Sequence, residues 1–235
     1  MTTEYELPPF DLRLAMDTLA TRDALLAPLI KETREFRVER GDTESPYEVL
    51  VEAITHQSIS GKAAATIFGR VKALGSNGSI PTPQEMLKLR KPALRKAGLS
   101  GAKILAMKDL AQKTIKGIVP TLEEAHKLSD QELVERLVSV RGIGAWTVEM
   151  FLIFRLGRPD VLPIHDLGVR KGWAITYGKK RMPTPKDLLK FGERWRPYRT
   201  VASWYMWRAC QRAGHAALRK ILPARPGKKK RVSPK

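Results

Sequence analysis

Five times this chain repeats one local instruction. Ser45-Pro46-Tyr47-Glu48, Thr82-Pro83-Gln84-Glu85, Thr121-Leu122-Glu123-Glu124 and Ser129-Asp130-Gln131-Glu132 each place a hydroxyl that can cap a helix three residues ahead of an acid that can return the bond, and Thr184-Pro185-Lys186-Asp187 is a weaker fifth. In three of the five, proline stands at the first helical position, where its missing N–H is no loss. Strand-like alternation is confined to Phe36-Arg37-Val38-Glu39-Arg40, which has no evident partner. A chain punctuated this way is expected to be all-α.

The remaining segments fit that expectation. After a Pro-containing entry at Leu7 to Phe10, Leu12, Leu14, Leu19, Leu25, Leu26 and Leu29 keep helical spacing, broken near Thr21-Arg22-Asp23, and predict one or two helices. The helix after Ser45 carries Val49, Leu50, Ala53 and Ile54. It then meets the polar stretch His56-Gln57-Ser58-Ile59-Ser60-Gly61 before Ala63-Ala64-Ala65-Thr66-Ile67-Phe68, so a helix junction at a surface is expected there. Gly98 reads as a helix-ending glycine, followed by a helix from Ser100 to about Lys116. A helix through Ala174 ends near Gly178, and a last one runs from about Arg199 to Ala217. From Leu222 the chain has almost nothing to bury, so residues 222–235 are expected to form a disordered basic tail.

Charge narrows the function classes. The 235 residues carry 43 Lys or Arg against 24 Asp or Glu, a net +19, which points to a polyanionic partner. Eight of those cations lie between Arg219 and Lys235, so about +11 belongs to the body. The run Lys228-Lys229-Lys230-Arg231 reads as a nonspecific DNA anchor or, in a nucleated cell, an import signal. Cys210 is the only cysteine, which excludes an intrachain disulfide and a cysteine-ligated zinc or iron–sulfur centre. No apolar run of membrane-spanning length and no secretion signal is seen, so an intracellular location is expected, with no membrane partner.

The chemistry concentrates between Leu137 and Lys171. There a helix stops against Gly142-Ile143-Gly144 and a second, apolar one opens at Ala145-Trp146-Thr147. Two glycines one residue apart let the turn's backbone approach something outside the protein, and the N–H groups opening the second helix suit a phosphate. The plain alternative is a tight connection between packed helices. Asp166 follows 22 residues beyond Gly144, ahead of Leu167-Gly168-Val169-Arg170-Lys171, where it also reads as an ordinary helix cap.

These residues, with Gly157-Arg158-Pro159-Asp160-Val161, Lys62-Ala63-Ala64, Gly98-Leu99-Ser100 and Trp195-Arg196-Pro197-Tyr198-Arg199, resemble the helix-hairpin-helix DNA glycosylases, in the AlkA-like, 3-methyladenine DNA glycosylase II branch. The resemblance runs from roughly Asp23 to Leu218. It implies two lobes with a cleft between them in a domain of residues 1–221, the middle lobe about 45–165 and the other about 1–44 plus 166–221. The extra N-terminal β domain of the large relatives is not expected, because about 40 residues precede Ser45.

By the same resemblance, Asp166 is the catalytic carboxylate, stabilising positive charge on the sugar and orienting the attacking water. Gly142, Ile143, Gly144, Ala145 and Thr147 hold DNA phosphates, with Arg170 also on the DNA. The carbonyls of Val138, Val140 and Gly142 hold a monovalent cation, Na+ or K+, and no other cofactor is implied. Trp146 and Trp207 line a pocket that favours a cationic base, Trp204 and Tyr205 being either a further wall or core. Trp146 stands where strand-cutting relatives carry a nucleophilic lysine, so a monofunctional, water-using enzyme is expected. Gln57 and Ser58 fall where relatives prop the gap left by the extruded nucleotide. His56 reads as helix surface. The implied activity is removal of alkylated purines from double-stranded DNA by a monomer. The alternatives are a glycosylase of this fold acting on deaminated or mismatched bases, and a catalytically silent DNA-binding module.

Overall fold

A computed structural model of the chain describes residues 5–6, 8–33, 36, 38–39, 45–221 and 223. Among these residues it is a helical protein of two compact units, one formed by Met1–Glu6 and Val38–Gly157 and the other by Leu7–Arg37 and Arg158–Lys235. The basic tail expected to be disordered lies outside the described residues, Pro223 excepted. No helix among the described residues is long and apolar enough to cross a membrane.

All five capping signals form as reciprocal boxes. They open α3 (Pro46–His56), α5 (Pro83–Lys88), α8 (Leu122–Lys127), α9 (Asp130–Val138) and α12 (Pro185–Gly192). The other helices are α1 (Leu12–Arg22), α2 (Ala27–Glu32), α4 (Gly61–Lys72), α6 (Lys91–Lys96), α7 (Gly101–Ile115), α10 (Ala145–Phe154), α11 (Leu167–Thr176) and α13 (Arg199–Lys220). The last of these continues past the expected end at Ala217, and its backbone leaves helical geometry at Gly214. Val38–Glu39 (β2) does find a partner: it pairs antiparallel with Tyr5–Glu6 (β1), a long-range contact that alternation alone cannot reveal.

In the first unit α7 is the axis. Ile104, Ala106, Met107, Leu110 and Ala111 are buried, and α3, α5 and α6 pack along it. Lys108 rises from α7 to donate to the carbonyls of Met86, Leu87 and Leu89 at 2.6, 2.8 and 2.6 Å, satisfying the open carbonyl end of α5. The sequence of α10, AWTVEMFLIF, is apolar nearly all round, which suits a helix packed against α9, α3 and β2.

In the second unit α11 lies directly on α13. A Cβ at Gly172 would come within 1.9 Å of the Met206 carbonyl oxygen, so only glycine permits this approach. Asp23, buried at the end of α1, accepts from the Tyr177 hydroxyl at 2.5 Å and the Trp195 indole at 3.2 Å, so its burial is matched by donors. Asp160 receives Arg199 through Nε and Nη2 at 2.7 and 3.0 Å, and Arg196 at 2.6 Å, fixing the start of α13.

Candidate functional site

The hairpin of the first unit is Ser139 to Gly144, between α9 and α10. Gly142 has φ +79°, a left-handed conformation that costs glycine nothing, and a Cβ there would press on that of Ala106 at 3.3 Å. Val140 and Ile143 are buried and anchor the turn, so at Ile143 it is the backbone, not the side chain, that a ligand could meet. Gly144 caps α10 with no side-chain bond, and Gly144 and Ala145 are exposed, which leaves the dipole-positive end of a ten-residue helix on a surface. Thr147 is half-buried and Trp146 is 49% exposed.

Two helices hold this turn from behind. Asp109 on α7 accepts the Arg141 N–H at 2.7 Å and Lys113 Nζ at 3.0 Å, and Lys113 also reaches the Ser139 carbonyl. Burial opposes the charge on Asp109, yet the Arg141 N–H and Lys113 hold its carboxyl below the usual carboxylate range. That support is complete above the unfolded pKa, about 4, and is lost as pH falls through the lower folded value. Asp109→Ala should therefore speed hydrogen exchange at the hairpin amides about tenfold near neutral pH, the equivalent of one ordinary charged hydrogen bond. Unchanged exchange at Arg141 would show that the carboxylate does not hold the turn.

The second support is Gln57, which ends α3 and donates from Nε2 to the Gly142 carbonyl at 2.9 Å. Its neighbour Ser58 is exposed at φ +59°, a strained setting for a residue with a Cβ. Gln57 and Ser58 thus form a sharp corner joined to the hairpin, and His56 is exposed as expected. The Val140 carbonyl accepts from the Ile143 N–H at 3.0 Å. Each carbonyl has two lone pairs, so Val138, Val140 and Gly142 retain the uncharged oxygen chemistry that a hard monovalent cation takes.

In the second unit Asp166 caps α11. Its Oδ1 accepts from the Val169 N–H at 2.8 Å and from the Trp207 indole N–H at 2.8 Å. One carboxylate oxygen of Asp166 therefore takes both the helix-capping N–H and the Trp207 indole N–H, each a bond strengthened by the carboxylate's charge. Gly168 makes room: a Cβ there would lie 2.7 Å from Trp207 Cδ1 and 3.0 Å from Asp166 Oδ1. Arg170 is half-buried and gives its Nε to the Pro183 carbonyl at 3.0 Å, so part of its guanidinium serves the scaffold. Trp204 and Tyr205 belong to the core, Trp204 meeting Phe36 edge-on with ring centroids 5.7 Å apart.

The structure thus brings Asp166 together with Trp207, and Gln57 with Gly142, while Trp146 and Trp207 belong to different units. Sequence reasoning missed Asp109 and Lys113, whose spacing looks like any surface ion pair. It also missed the Trp207 indole N–H as a donor, since only the ring's apolar character is visible in sequence.

Comparison with known proteins agrees with the fold. The sequence profile described as HhH-GPD superfamily base excision DNA repair protein matches residues 51–197. DNA-3-methyladenine glycosylase 1 of Schizosaccharomyces pombe is 41% identical over 201 residues, covering 85% of this chain and 86% of the relative. The solved structure of the S. pombe 3-methyladenine DNA glycosylase in complex with abasic DNA superposes with a TM-score of 0.75 over 83% of this chain and 95% of that one. A DNA-3-methyladenine glycosidase from Bacillus halodurans, 31% identical, gives a TM-score of 0.77 over 94% of this chain and 98% of the other.

Proposed function

Because the chain belongs to the HhH-GPD superfamily of base excision DNA repair proteins, we propose that it hydrolyses the N-glycosidic bond of alkylated purines, of the 3-methyladenine and 7-methylguanine type, in double-stranded DNA. The observation that carries this reading is the held carboxylate of Asp166 in a chain 41% identical to a 3-methyladenine glycosylase. Alkylation at N3 or N7 leaves the purine cationic and already a good leaving group. The enzyme then needs little acid assistance and chiefly a negative charge near the sugar carbon, which becomes positive as the bond breaks. Asp166 supplies that charge and orients the water that attacks; an abasic site remains.

The hairpin backbone grips the sugar–phosphate chain without reading sequence, as a search through undamaged DNA requires. The carbonyls of Val138, Val140 and Gly142 would hold a monovalent cation, which would supply extra positive charge toward the DNA backbone. The aromatic rings of Trp146 and Trp207 favour a cationic base by stacking and cation–π attraction. Gln57 and Ser58 attend the gap left by the extruded nucleotide. The protein works as a monomer, without a reactive cofactor, wherever the cell keeps its DNA: the nucleoid of a bacterium or the nucleus of a eukaryote.

Trp146 in place of a lysine at the hairpin supports hydrolysis without strand cutting. Incubation with methylated genomic DNA should release 3-methyladenine and 7-methylguanine, leave abasic sites cut only by alkali, and give no borohydride-trapped adduct. Release of deaminated or mismatched bases with no release of methylated purines would move the assignment to the other substrate class.

A further inference from the structure

Charge in the first unit is unevenly placed. From Lys62 to Lys116 there are 12 Lys or Arg and two acids, Glu85 and Asp109. Both acids are engaged: Glu85 accepts from the Thr82 N–H at 2.8 Å and from the Ser76 hydroxyl, and Asp109 holds the hairpin. Four cations of this stretch are also occupied. Lys103 donates to the Thr55 carbonyl, Lys108 closes α5, Lys113 binds Asp109, and Lys72 lies over the Phe68 ring.

What remains is concentrated on α5, α6 and the link between them. Lys88, Arg90, Lys91, Arg95 and Lys96 put five exposed cations into nine residues, and no ion pair involves any of them among the described residues. Like charges this close repel one another, and a surface that keeps them without acids is stabilised by a polyanion. The patch is also rigidly mounted. Lys108 pins its backbone onto α7, and the hairpin is pinned onto the same helix through Ala106, Asp109 and Lys113. Along the axis of α7, Lys108 lies within about 8 Å of each of those three positions, at roughly 1.5 Å per residue.

We propose that the α5–α6 patch is a second DNA-binding surface, which holds phosphates of the duplex flanking the nucleotide under repair and supplies much of the protein's sequence-independent affinity. The inference rests on the proposed function for its partner. Its chemistry is counterion release: a duplex strand carries one phosphate per ~3.4 Å of axis, so α6, about 9 Å long, spans two or three of them.

The test compares the parent with the variant Lys88→Gln/Arg90→Gln/Lys91→Gln/Lys96→Gln in binding a duplex that carries a stable abasic analogue, across a range of salt concentrations. Arg95 is kept because it also reaches the Leu99 carbonyl. On a long duplex the salt slope should fall by roughly 2 to 4, at about 0.9 for each phosphate no longer neutralised. On a short duplex covering only the lesion, affinity and single-turnover excision at saturating enzyme should match the parent. Lys88→Arg/Lys91→Arg/Lys96→Arg should keep the parental slope, and so should Lys127→Gln on α8. Equal slopes for the glutamine variant and the parent on the long duplex, with unchanged thermal melting, overturn the inference; so does an equal loss in Lys127→Gln. If the parent binds the long duplex but releases no methylated purine, the substrate assignment fails, and the salt slopes still decide the patch.

Discussion

Asp166→Asn is expected to slow excision of a methylated purine on the order of a thousandfold, the scale of losing one preorganised electrostatic group aimed at the transition state. The substitution isolates charge from scaffold. Asparagine is itself a good helix cap, and its carbonyl oxygen can accept both the Val169 N–H and the Trp207 indole N–H that now reach Oδ1 at 2.8 Å. Binding to a duplex carrying an abasic analogue should stay within a few-fold of the parent, because the hairpin is untouched. Asp166→Ala removes cap and charge together and should in addition cost about 1 kcal/mol of stability. Single-turnover kinetics with each variant separate the two effects, and a parental rate for Asp166→Asn would remove the carboxylate from the mechanism.

Gly172→Ala is expected to destabilise the second unit by about 3 kcal/mol, at the upper end for forcing a methyl group into a packed interior. The reason is that the methyl meets backbone. Its Cβ would stand 1.9 Å from the Met206 carbonyl oxygen and 2.5 Å from its carbon, atoms that no rotamer change can move. α11 and α13 must separate, and these two helices carry Asp166 and Trp207. The melting temperature should drop by roughly 6–12 °C. Excision should fall about a hundredfold, as expected when a reacting group is displaced by about an ångström. Gly61→Ala is the matched control, since a Cβ there meets nothing within 4 Å, and it should melt like the parent. A melting temperature unchanged in Gly172→Ala would show that the helices are not held at this distance.

Helix starts were readable because their cause is local. A hydroxyl and an acid three residues on, with a proline between them in three of the five, determine the geometry within one turn, and every such signal became a box. Pairings made across long separations were not readable. β2 pairs with a segment more than thirty residues upstream, and buried Asp23 is satisfied by Tyr177 and Trp195 from the far end of the chain. The candidate site shows the same division. Gly142 and Asp166 stood out because a glycine turn and a carboxylate at a helix start are local patterns. That Trp207 acts through its N–H, and that Asp109 supports the hairpin, depends on which helices meet.

The bond from Gln57 to the Gly142 carbonyl has an evolutionary corollary. A lineage that reshapes the α3–α4 corner disturbs, in the same step, the hairpin turn bonded to it. Replacements at the corner and in the turn should then arrive together, with single changes selected against for the bond they lose.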